Sequence, residues 1–250
     1  MKVHQFTVVH HNRKVFATAW LPEKESCPLV LFSHGFNGTG DDFKAPAEIL
    51  AKEGIAAVTY DFCGGSLASR SDLKTTEMTV FTEKEDLLAV LDSVKTWPGV
   101  DVDRIFLFGA SMGGLISALA AEERGDEIRG MILLFPALCI ADNWNKRFPR
   151  MEDIPETVAL WEVPLGKRFF ETLHGVKTFD HLGGYSGEIL ILHGDEDPVV
   201  PVEYSKKANE LYPHSRLEIF PGEGHGFSPA GNEKVTRMLL QFVLLVGNFA

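Results

Sequence analysis

The sequence predicts an α/β fold in which a mostly parallel central sheet is flanked by helices. Two observations favour this class. Short segments rich in apolar and β-branched residues alternate along the chain with longer segments of helical periodicity. Most of the short segments are apolar throughout, which is typical of strands buried on both faces of a parallel sheet. At 250 residues the chain can bury a large core within one domain.

Eight segments carry a strand pattern. The first two flank His11-Asn12, which suits the tight turn of a hairpin, and we expect this hairpin at an edge of the sheet. The next five are continuous apolar runs, whereas the last alternates apolar with polar residues, as a strand near an edge would. The predicted strands cover residues 4–10, 13–21, 29–32, 55–60, 105–108, 131–135, 189–192 and 217–220.

Five helical segments are predicted, at residues 43–52, 79–96, 112–123, 203–211 and 233–246. We interpret the acidic run 83–86, which falls within the second helix, as a solvent-exposed face. The apolar run 238–246 in the last helix is far shorter than the ~20 residues that cross a bilayer, so no membrane span is expected.

One connection is much longer than the others. After the strand 131–135 the chain continues far beyond the dozen or so residues that a parallel crossover needs, and it is rich in aromatic residues and proline. Because long connections tend to be functional, we predict an inserted cap over residues 136–185 on a core of residues 1–135 and 186–250. The alternative is an irregular connection whose aromatic residues pack on the core.

The charge balance and the motifs exclude some classes of partner. Lys plus Arg number 24 against 35 for Asp plus Glu, a net charge of −11, so the chain would repel nucleic acids and anionic membranes. No nucleotide-binding glycine motif follows a strand. The adjacent His10 and His11 would point to opposite faces of a strand, so we predict a turn there rather than a metal site. We expect no metal and no organic cofactor.

The first residues and the cysteines indicate the cellular compartment in which the protein is expected. The chain begins with one positive charge and no apolar stretch of signal-peptide length. Its three cysteines, Cys27, Cys63 and Cys139, are an odd number without CxxC spacing, which suits reduced thiols. We therefore expect a cytoplasmic protein, provided that no leader peptide has been removed. Whether it is a monomer or a homodimer stays open.

The strongest chemical motif is a GxSxG pattern that runs from Gly109 to Gly113 around Ser111. It follows the apolar strand 105–108 and opens a helix. This strand-turn-helix setting lifts a serine hydroxyl to the carboxyl end of a sheet. We predict that Ser111 is a nucleophile.

A serine hydroxyl is a poor nucleophile until a base takes its proton, so a histidine and an orienting carboxylate are expected downstream. His225 lies between two glycines just after the last predicted strand. Asp195, Glu196 and Asp197 follow the strand before it. We predict His225 as the base and an acid from this second loop.

These loops and their order along the chain, Ser then Asp then His, resemble those of the α/β-hydrolases. The resemblance covers essentially the whole chain and implies an α/β-hydrolase fold with a catalytic triad. The family pattern HGxxDxxVP, matched from His193 to Pro201, implies Asp197 as the acid in preference to Asp195.

The same resemblance implies an oxyanion hole, in which two backbone amides stabilise the charge that develops on the attacked carbonyl. The loop from Ser33 to Phe36 stands where α/β-hydrolases carry one of them. We assign the two amides to Phe36 and to Met112, the residue after the nucleophile. His34 and His193 are then expected to brace loops.

Within the superfamily the chain is similar to bacterial feruloyl and cinnamoyl esterases, which hydrolyse hydroxycinnamate esters. The segments that carry this resemblance are DFCGGS at 61–66, Met78-Thr79 and LFPA at 134–137. The resemblance implies a serine carboxylesterase that forms an acyl-enzyme, with a small aromatic ester as its partner.

The predicted cap offers side chains for an aromatic acyl group. Trp144, Trp161, Phe169 and Phe170 could line an apolar slot over Ser111. Asp142, early in the cap where cinnamoyl esterases carry an acidic residue, could accept a phenolic hydroxyl. The alternatives are core packing for each aromatic residue and a surface position for Asp142.

Three other functions remain open on the same fold. They are an esterase for short acyl chains, a small serine peptidase and a non-catalytic ligand-binding module. A binding module has no physical need for Ser111, Asp197 and His225 together, which disfavours the last of them.

Overall fold

The computed structural model describes residues 1–247, so the last three residues of the predicted core range 186–250 lie outside it. Among these described residues, eight strands form one sheet in the order β1-β2-β4-β3-β5-β6-β9-β10, and β7 and β8 form a separate pair. The strands are β1 (Lys2–His10), β2 (Arg13–Leu21), β3 (Cys27–Ser33), β4 (Ala56–Tyr60), β5 (Val100–Ala110), β6 (Gly130–Leu134), β7 (Thr157–Leu160), β8 (Val163–Gly166), β9 (Glu188–Gly194) and β10 (Ser215–Phe220).

In the described part of the chain, seven α-helices accompany these strands. They are α1 (Lys44–Lys52), α2 (Val80–Val94), α3 (Met112–Arg124), α4 (Ile140–Arg147), α5 (Lys167–Glu171), α6 (Val202–Leu211) and α7 (Pro229–Val246). Within residues 1–247 no helix is both long and apolar enough to cross a bilayer.

The sheet is parallel from β4 to β10, and β1 and β2 run antiparallel at one edge. The predicted edge hairpin is present, because His11 and Asn12 adopt positive φ angles of 45° and 60°, the conformation that a two-residue turn between twisted strands needs. The alternating strand predicted at 217–220 lies in β10, at the opposite edge.

The two faces of the sheet bury two separate apolar clusters. Along β3, Leu29 and Leu31 pack into the cluster formed with α2 and α3, whereas Val30 and Phe32 pack into the cluster formed with α1 and α7. Successive side chains of a strand point to opposite faces, so a fully apolar strand serves both clusters. This explains why the five continuous apolar runs form the centre of the sheet.

The connection between β6 and β9 is ordered and carries its own elements, which the sequence pattern did not define. Helices α4 and α5 and the hairpin β7–β8 lie within it and outside the main sheet. We refer to residues 136–185 as the insert. Its residues Ile154, Val158, Leu165 and Phe170 pack into the same apolar cluster as α2 and α3.

The interpretation of the acidic run 83–86 as a solvent-exposed face is wrong for two of its members. Glu83 and Asp86 are fully buried, on the side of α2 that faces the loop after β4. Asp86 accepts hydrogen bonds from the Cys63 amide and from Arg13 and contacts His10 Nε2 at 2.7 Å. A polar sequence pattern does not reveal such partners, because they come from distant strands and loops.

Candidate active site

Ser111 occupies a sharp turn between β5 and α3. Its backbone has φ 53° and ψ −119°, a conformation that L-residues rarely adopt and that costs on the order of 1–3 kcal/mol. Backbone hydrogen bonds hold it there. The Ser111 amide donates to the Leu134 carbonyl, and the Ser111 carbonyl accepts from the amides of Gly114 and Ala137, each at 2.9 Å.

The glycines of the motif allow close contact between backbones. A Cβ on Gly109 would lie 2.3 Å from the Gly113 carbonyl oxygen, and one on Gly113 would lie 2.3 Å from the Ser33 carbonyl oxygen. Such distances are impossible for real side chains. The start of α3 therefore packs directly on the end of β3, which brings the loop after β3 against Ser111. A Cβ on Gly35, in that loop, would lie only 3.1 Å from Ser111 Cβ.

His225, in the loop between β10 and α7, lies beside Ser111. Its Nε2 is 3.0 Å from Ser111 Oγ, and its Nδ1 is 2.7 Å from Asp197 Oδ2. The ring of Phe135 packs on the imidazole with centroids 4.6 Å apart. Because the carboxylate at Nδ1 holds a proton there, Nε2 is left to accept the proton of the serine hydroxyl.

Asp197 follows β9, and its side chain is fully buried. Its Oδ1 accepts the amides of Val199 and Val200 at 2.8 and 2.9 Å, which leaves Oδ2 for His225. Asp195 has a different partner, since its Oδ1 accepts the Gly222 amide at 2.7 Å. The hydrogen bonds thus join Asp197, and not Asp195, to the histidine.

Two further histidines are buried around the site. His193 Nε2 lies 3.0 Å from the Val200 carbonyl and 3.3 Å from Asp197 Oδ2, and its Nδ1 lies 2.7 Å from Ser205 Oγ. Burial lowers the pKa of this imidazole, which favours the neutral form with the proton on Nε2. It therefore donates to the loop that carries the acid.

His34 plays a similar part behind the loop after β3. Its Nε2 accepts the Phe62 amide at 3.0 Å, so Nδ1 carries the proton and faces the Gly35 carbonyl at 2.7 Å. Burial lowers the pKa of this imidazole as well. Neither His34 nor His193 contacts Ser111 Oγ in the described residues.

A cavity of about 440 Å³ opens at Ser111. Phe36 and Met112, which carry the two predicted oxyanion amides, both line it. The Met112 amide is the first of α3 and so has no acceptor within the helix. The other lining residues are Ala137, Cys139, Ile140, Asn143, Trp144, Arg147, Leu160, Trp161, Phe169, Pro198, Val199 and Val200.

Of the aromatic residues predicted to contact substrate, Trp144, Trp161 and Phe169 line this cavity, whereas Phe170 packs beside Trp144 without lining it. Trp144 and Phe169 form part of an aromatic cluster of the insert, in which their rings meet edge to face. Trp161 sits at the turn between β7 and β8 with φ 49°, is 61% exposed, and has its ring 6.1 Å from that of Phe36.

Asp142 does not line the cavity, contrary to its predicted position. Its carboxylate is exposed and accepts the Tyr204 hydroxyl at 2.8 Å. The lining residues of α4 are Ile140, Asn143, Trp144 and Arg147, spaced as one face of a helix. Sequence reasoning passed over Asn143 and Arg147, although helical spacing relates Arg147 both to Trp144, three residues before it, and to Asn143, four residues before it.

Within residues 1–247 no group of three or more His, Cys, Asp or Glu side chains is arranged to hold a metal ion. The adjacent His10 and His11 lie at the turn between β1 and β2, and His10 contacts the buried Asp86. The three cysteines, all buried, are free thiols.

A parallel sheet with a strained serine at the carboxyl end of β5, and the acid and base in later loops, defines an α/β hydrolase. The chain belongs to the family described as serine aminopeptidase, S33, whose family model matches residues 24–174. A second model, described as TAP-like protein, matches residues 174–247.

Solved structures and curated proteins agree with this fold. Est1E from Butyrivibrio proteoclasticus, in a structure with bound ferulic acid, has a TM-score of 0.88 and 29% identity over 96% of this chain and 98% of Est1E. YisY of Bacillus subtilis (strain 168), an AB hydrolase superfamily protein, is 26% identical over 85% of this chain and 90% of its own length. The expected α/β-hydrolase fold and the resemblance to feruloyl esterases are confirmed.

A further match covers only part of each chain. Monoglyceride lipase from Rattus norvegicus is 32% identical over 125 residues, which are 50% of this chain and 40% of the lipase. The relatives therefore include enzymes named for ester hydrolysis, but they differ in the substrates that their names give.

Proposed function

We propose that this protein is a serine carboxylesterase that hydrolyses hydroxycinnamate esters through an acyl-enzyme intermediate. The observation that carries the proposal is the hydrogen-bonded chain Ser111–His225–Asp197 at the mouth of an aromatic cavity. An ester carbonyl above Ser111 Oγ would meet a nucleophile, a base and two amides in one place.

In the first half of the reaction, Ser111 Oγ attacks the ester carbonyl carbon while His225 Nε2 takes the hydroxyl proton. The resulting oxyanion accepts hydrogen bonds from the Phe36 and Met112 amides, each of which can lower the barrier by about 3–4 kcal/mol. Asp197 stabilises the imidazolium. The intermediate collapses as His225 gives its proton to the alcohol oxygen, the carbon–oxygen bond breaks and the alcohol departs.

In the second half, a water molecule replaces the alcohol. His225 takes one water proton as the hydroxide attacks the acyl carbon, and the same amides stabilise the new oxyanion. Collapse breaks the bond to Ser111 Oγ, which regains a proton from His225, and the carboxylic acid is released. No metal or organic cofactor takes part in these steps.

The hydroxycinnamate specificity rests on two supports. The cavity is lined by Trp144, Trp161, Phe169 and Phe36, and aromatic walls suit a planar aromatic acyl group. Est1E, similar to this chain over nearly its whole length, binds ferulic acid in a solved structure. We also propose that the insert serves as a cap that supplies most of these walls.

Hydrolysis of a substrate panel tests the proposal. Methyl ferulate and methyl caffeate are compared with p-nitrophenyl butyrate and an aminoacyl anilide, for the natural protein and for Ser111→Ala. We expect the highest kcat/KM for the hydroxycinnamates and no turnover by the variant. A preference for butyrate would reject the hydroxycinnamate specificity but keep the esterase.

A short-chain acyl esterase is the second candidate. The match to monoglyceride lipase, an enzyme named for a glyceride ester, favours an acyl esterase without fixing the chain length, and the family description favours a peptidase. Cleavage of the anilide in preference to every ester would support the peptidase. A ligand-binding module without catalysis predicts that a fluorophosphonate probe leaves Ser111 unlabelled.

A further inference from the structure

The cavity at Ser111 has one ionised side chain among its described lining residues, Arg147. It lies in the last turn of α4, one turn beyond Asn143, whose amide also lines the cavity. Every other lining residue is apolar, a hydroxyl or a thiol, and burial raises the pKa of the Cys139 thiol to about 11. The cation is therefore the strongest polar feature of the cavity after the catalytic groups.

The guanidinium of Arg147 has no carboxylate partner within 4 Å among residues 1–247. Its central carbon lies 5.3 Å from the ring centroids of both Trp144 and Phe148. Contact with aromatic rings orients a guanidinium and leaves its N–H donors available for an anion. The nearby carboxylate on the same helix, Asp142, is engaged by the Tyr204 hydroxyl.

Arg147 and Ile140 line the cavity from opposite ends of α4. The Ala137 amide bonds to the Ser111 carbonyl, so the insert begins against the nucleophile. Helix α4 starts three residues later at Ile140 and ends at Arg147. With a rise of 1.5 Å per residue, the last turn lies about 10 Å farther along the helix than the first residue.

We assign the cavity to the acyl half of the ester rather than to the alcohol. In the proposed reaction the alcohol departs beside His225, which must protonate it. The acyl group stays bonded to Ser111, which lines the cavity together with the aromatic side chains that would contact a planar acyl group. The group that stays on Ser111 is therefore the one that extends into the cavity towards Arg147.

We propose that Arg147 determines specificity for acyl groups that carry an anion, such as a carboxylate, at the end remote from the ester bond. Asn143 adds a neutral donor next to it. This inference rests on the proposed esterase function and sharpens it. In a protein with a net charge of −11, a local cation offsets the general repulsion of an anionic substrate.

A matched pair of substrates tests this proposal. Methyl cinnamate and its 4-carboxy derivative share the leaving group and the ring and differ in one remote carboxylate. We expect Arg147→Gln to lower the ratio of kcat/KM for the carboxylated ester to kcat/KM for methyl cinnamate by at least about tenfold, the effect of one charge-assisted hydrogen bond. Arg147→Lys should retain part of the preference.

The control is Lys146→Gln, which removes an exposed positive charge one residue away that does not line the cavity. It should leave the ratio of the two kcat/KM values unchanged. Equal losses for both esters in Arg147→Gln, or the same change of ratio in Lys146→Gln, would overturn the proposal.

Failure of the esterase function itself gives a different result. If the natural protein hydrolyses neither ester, the two esters are compared as protectants of Ser111 against a fluorophosphonate. Stronger protection by the carboxylated ester, lost in Arg147→Gln, would still support the anion site. Equal protection by both esters would reject it.

Discussion

Two carboxylates of one loop, Asp197 and Asp195, have different partners and so test the proposed triad. Asp197 accepts from His225 Nδ1, whereas Asp195 accepts from the Gly222 amide. Asp197→Asn can present an amide N–H to Nδ1 and favour the wrong imidazole tautomer, so we expect kcat to fall by about 10⁴-fold. Asp195→Asn weakens a loop contact, and kcat should stay within a few-fold.

Both variants are assayed with p-nitrophenyl butyrate and methyl ferulate, after circular dichroism has shown that they fold. Because the two substitutions remove the same charge from the same loop, the ratio of their rates isolates the contact with His225. A larger loss in Asp195→Asn would reject Asp197 as the orienting acid.

The buried Glu83 predicts a pH-dependent stability. Neither of its carboxyl oxygens has a hydrogen-bond partner in residues 1–247, and burial, with the nearby Asp86, raises its pKa well above the ordinary value. As the pH rises above about 4.5, the unfolded chain releases this proton and the folded chain keeps it. The free energy of unfolding therefore falls by up to ~1.4 kcal/mol per pH unit until the folded pKa is reached.

Glu83→Gln removes the carboxyl group that causes this pH dependence. We expect the free energy of unfolding of the variant, minus that of the natural protein, to increase from pH 5 to pH 8 in urea denaturation. Glu85→Gln, on the exposed side of the same helix, controls for the loss of one carboxylate. If the difference in unfolding free energy between Glu83→Gln and the natural protein stays constant with pH, the folded protein ionises Glu83 as readily as the unfolded chain does.

At the scale of elements, the hairpin β7–β8 and helix α4 contribute separate walls to the cavity. Trp161 projects from the hairpin turn and is 61% exposed, so its side chain adds little to stability. If it covers the substrate ring, Trp161→Ala should raise KM for methyl ferulate by about tenfold and leave the Tm within 2 °C.

The matched control is Asp142→Asn on α4. Because its carboxylate faces Tyr204 and not the cavity, we expect unchanged methyl ferulate kinetics. A rise in KM in the Asp142 variant with none in the Trp161 variant would reverse this assignment of the cavity walls.

The sequence predicted those elements whose pattern is long or uniform. The apolar runs of β3 to β6 and β9 could be placed because strands in the middle of a sheet bury both faces. Helix α7 starts at Pro229, four residues before its predicted start. The prediction missed this first turn because Pro-Ala-Gly-Asn is typical of a loop. In the structure Ser228 caps the helix, and its hydroxyl accepts the Gly231 amide at 3.1 Å. The strands β7 and β8 have four residues each, too few to show a period.

The candidate site was predictable to the extent that its residues occupy fixed places in loops after strands. Ser111, Asp197 and His225 each follow a strand of a parallel sheet, so their loops converge at one edge. The residues that form the walls of the cavity were harder to predict, since they depend on the rotation of α4 about its axis. A rotation of about 100° per residue separates Asp142 from Asn143, which decides which one faces the cavity.

At the scale of the whole molecule, the insert shares an apolar cluster with the sheet. Phe170 is 2% exposed and packs against Trp144 and Phe169, in the cluster that also contains residues of α2 and α3. We therefore expect Phe170→Ala to cost about 3–5 kcal/mol and to lower the Tm of the entire protein by roughly 10 °C. Phe81→Ala, at a phenylalanine that is 38% exposed, is the matched control and should have a small effect.

Hydrogen exchange decides whether the insert unfolds with the sheet or before it. If the shared cluster makes one cooperative unit, amides of α4 and of β5 open with the same free energy, and Phe170→Ala lowers both equally. If the insert opens independently, Phe170→Ala lowers protection in α4 alone while β5 keeps its own. If the insert opens independently, the cavity at Ser111 can open by local unfolding. Its walls on α4 and β7–β8 would then separate from the sheet, while the sheet still holds Ser111 and His225 in place.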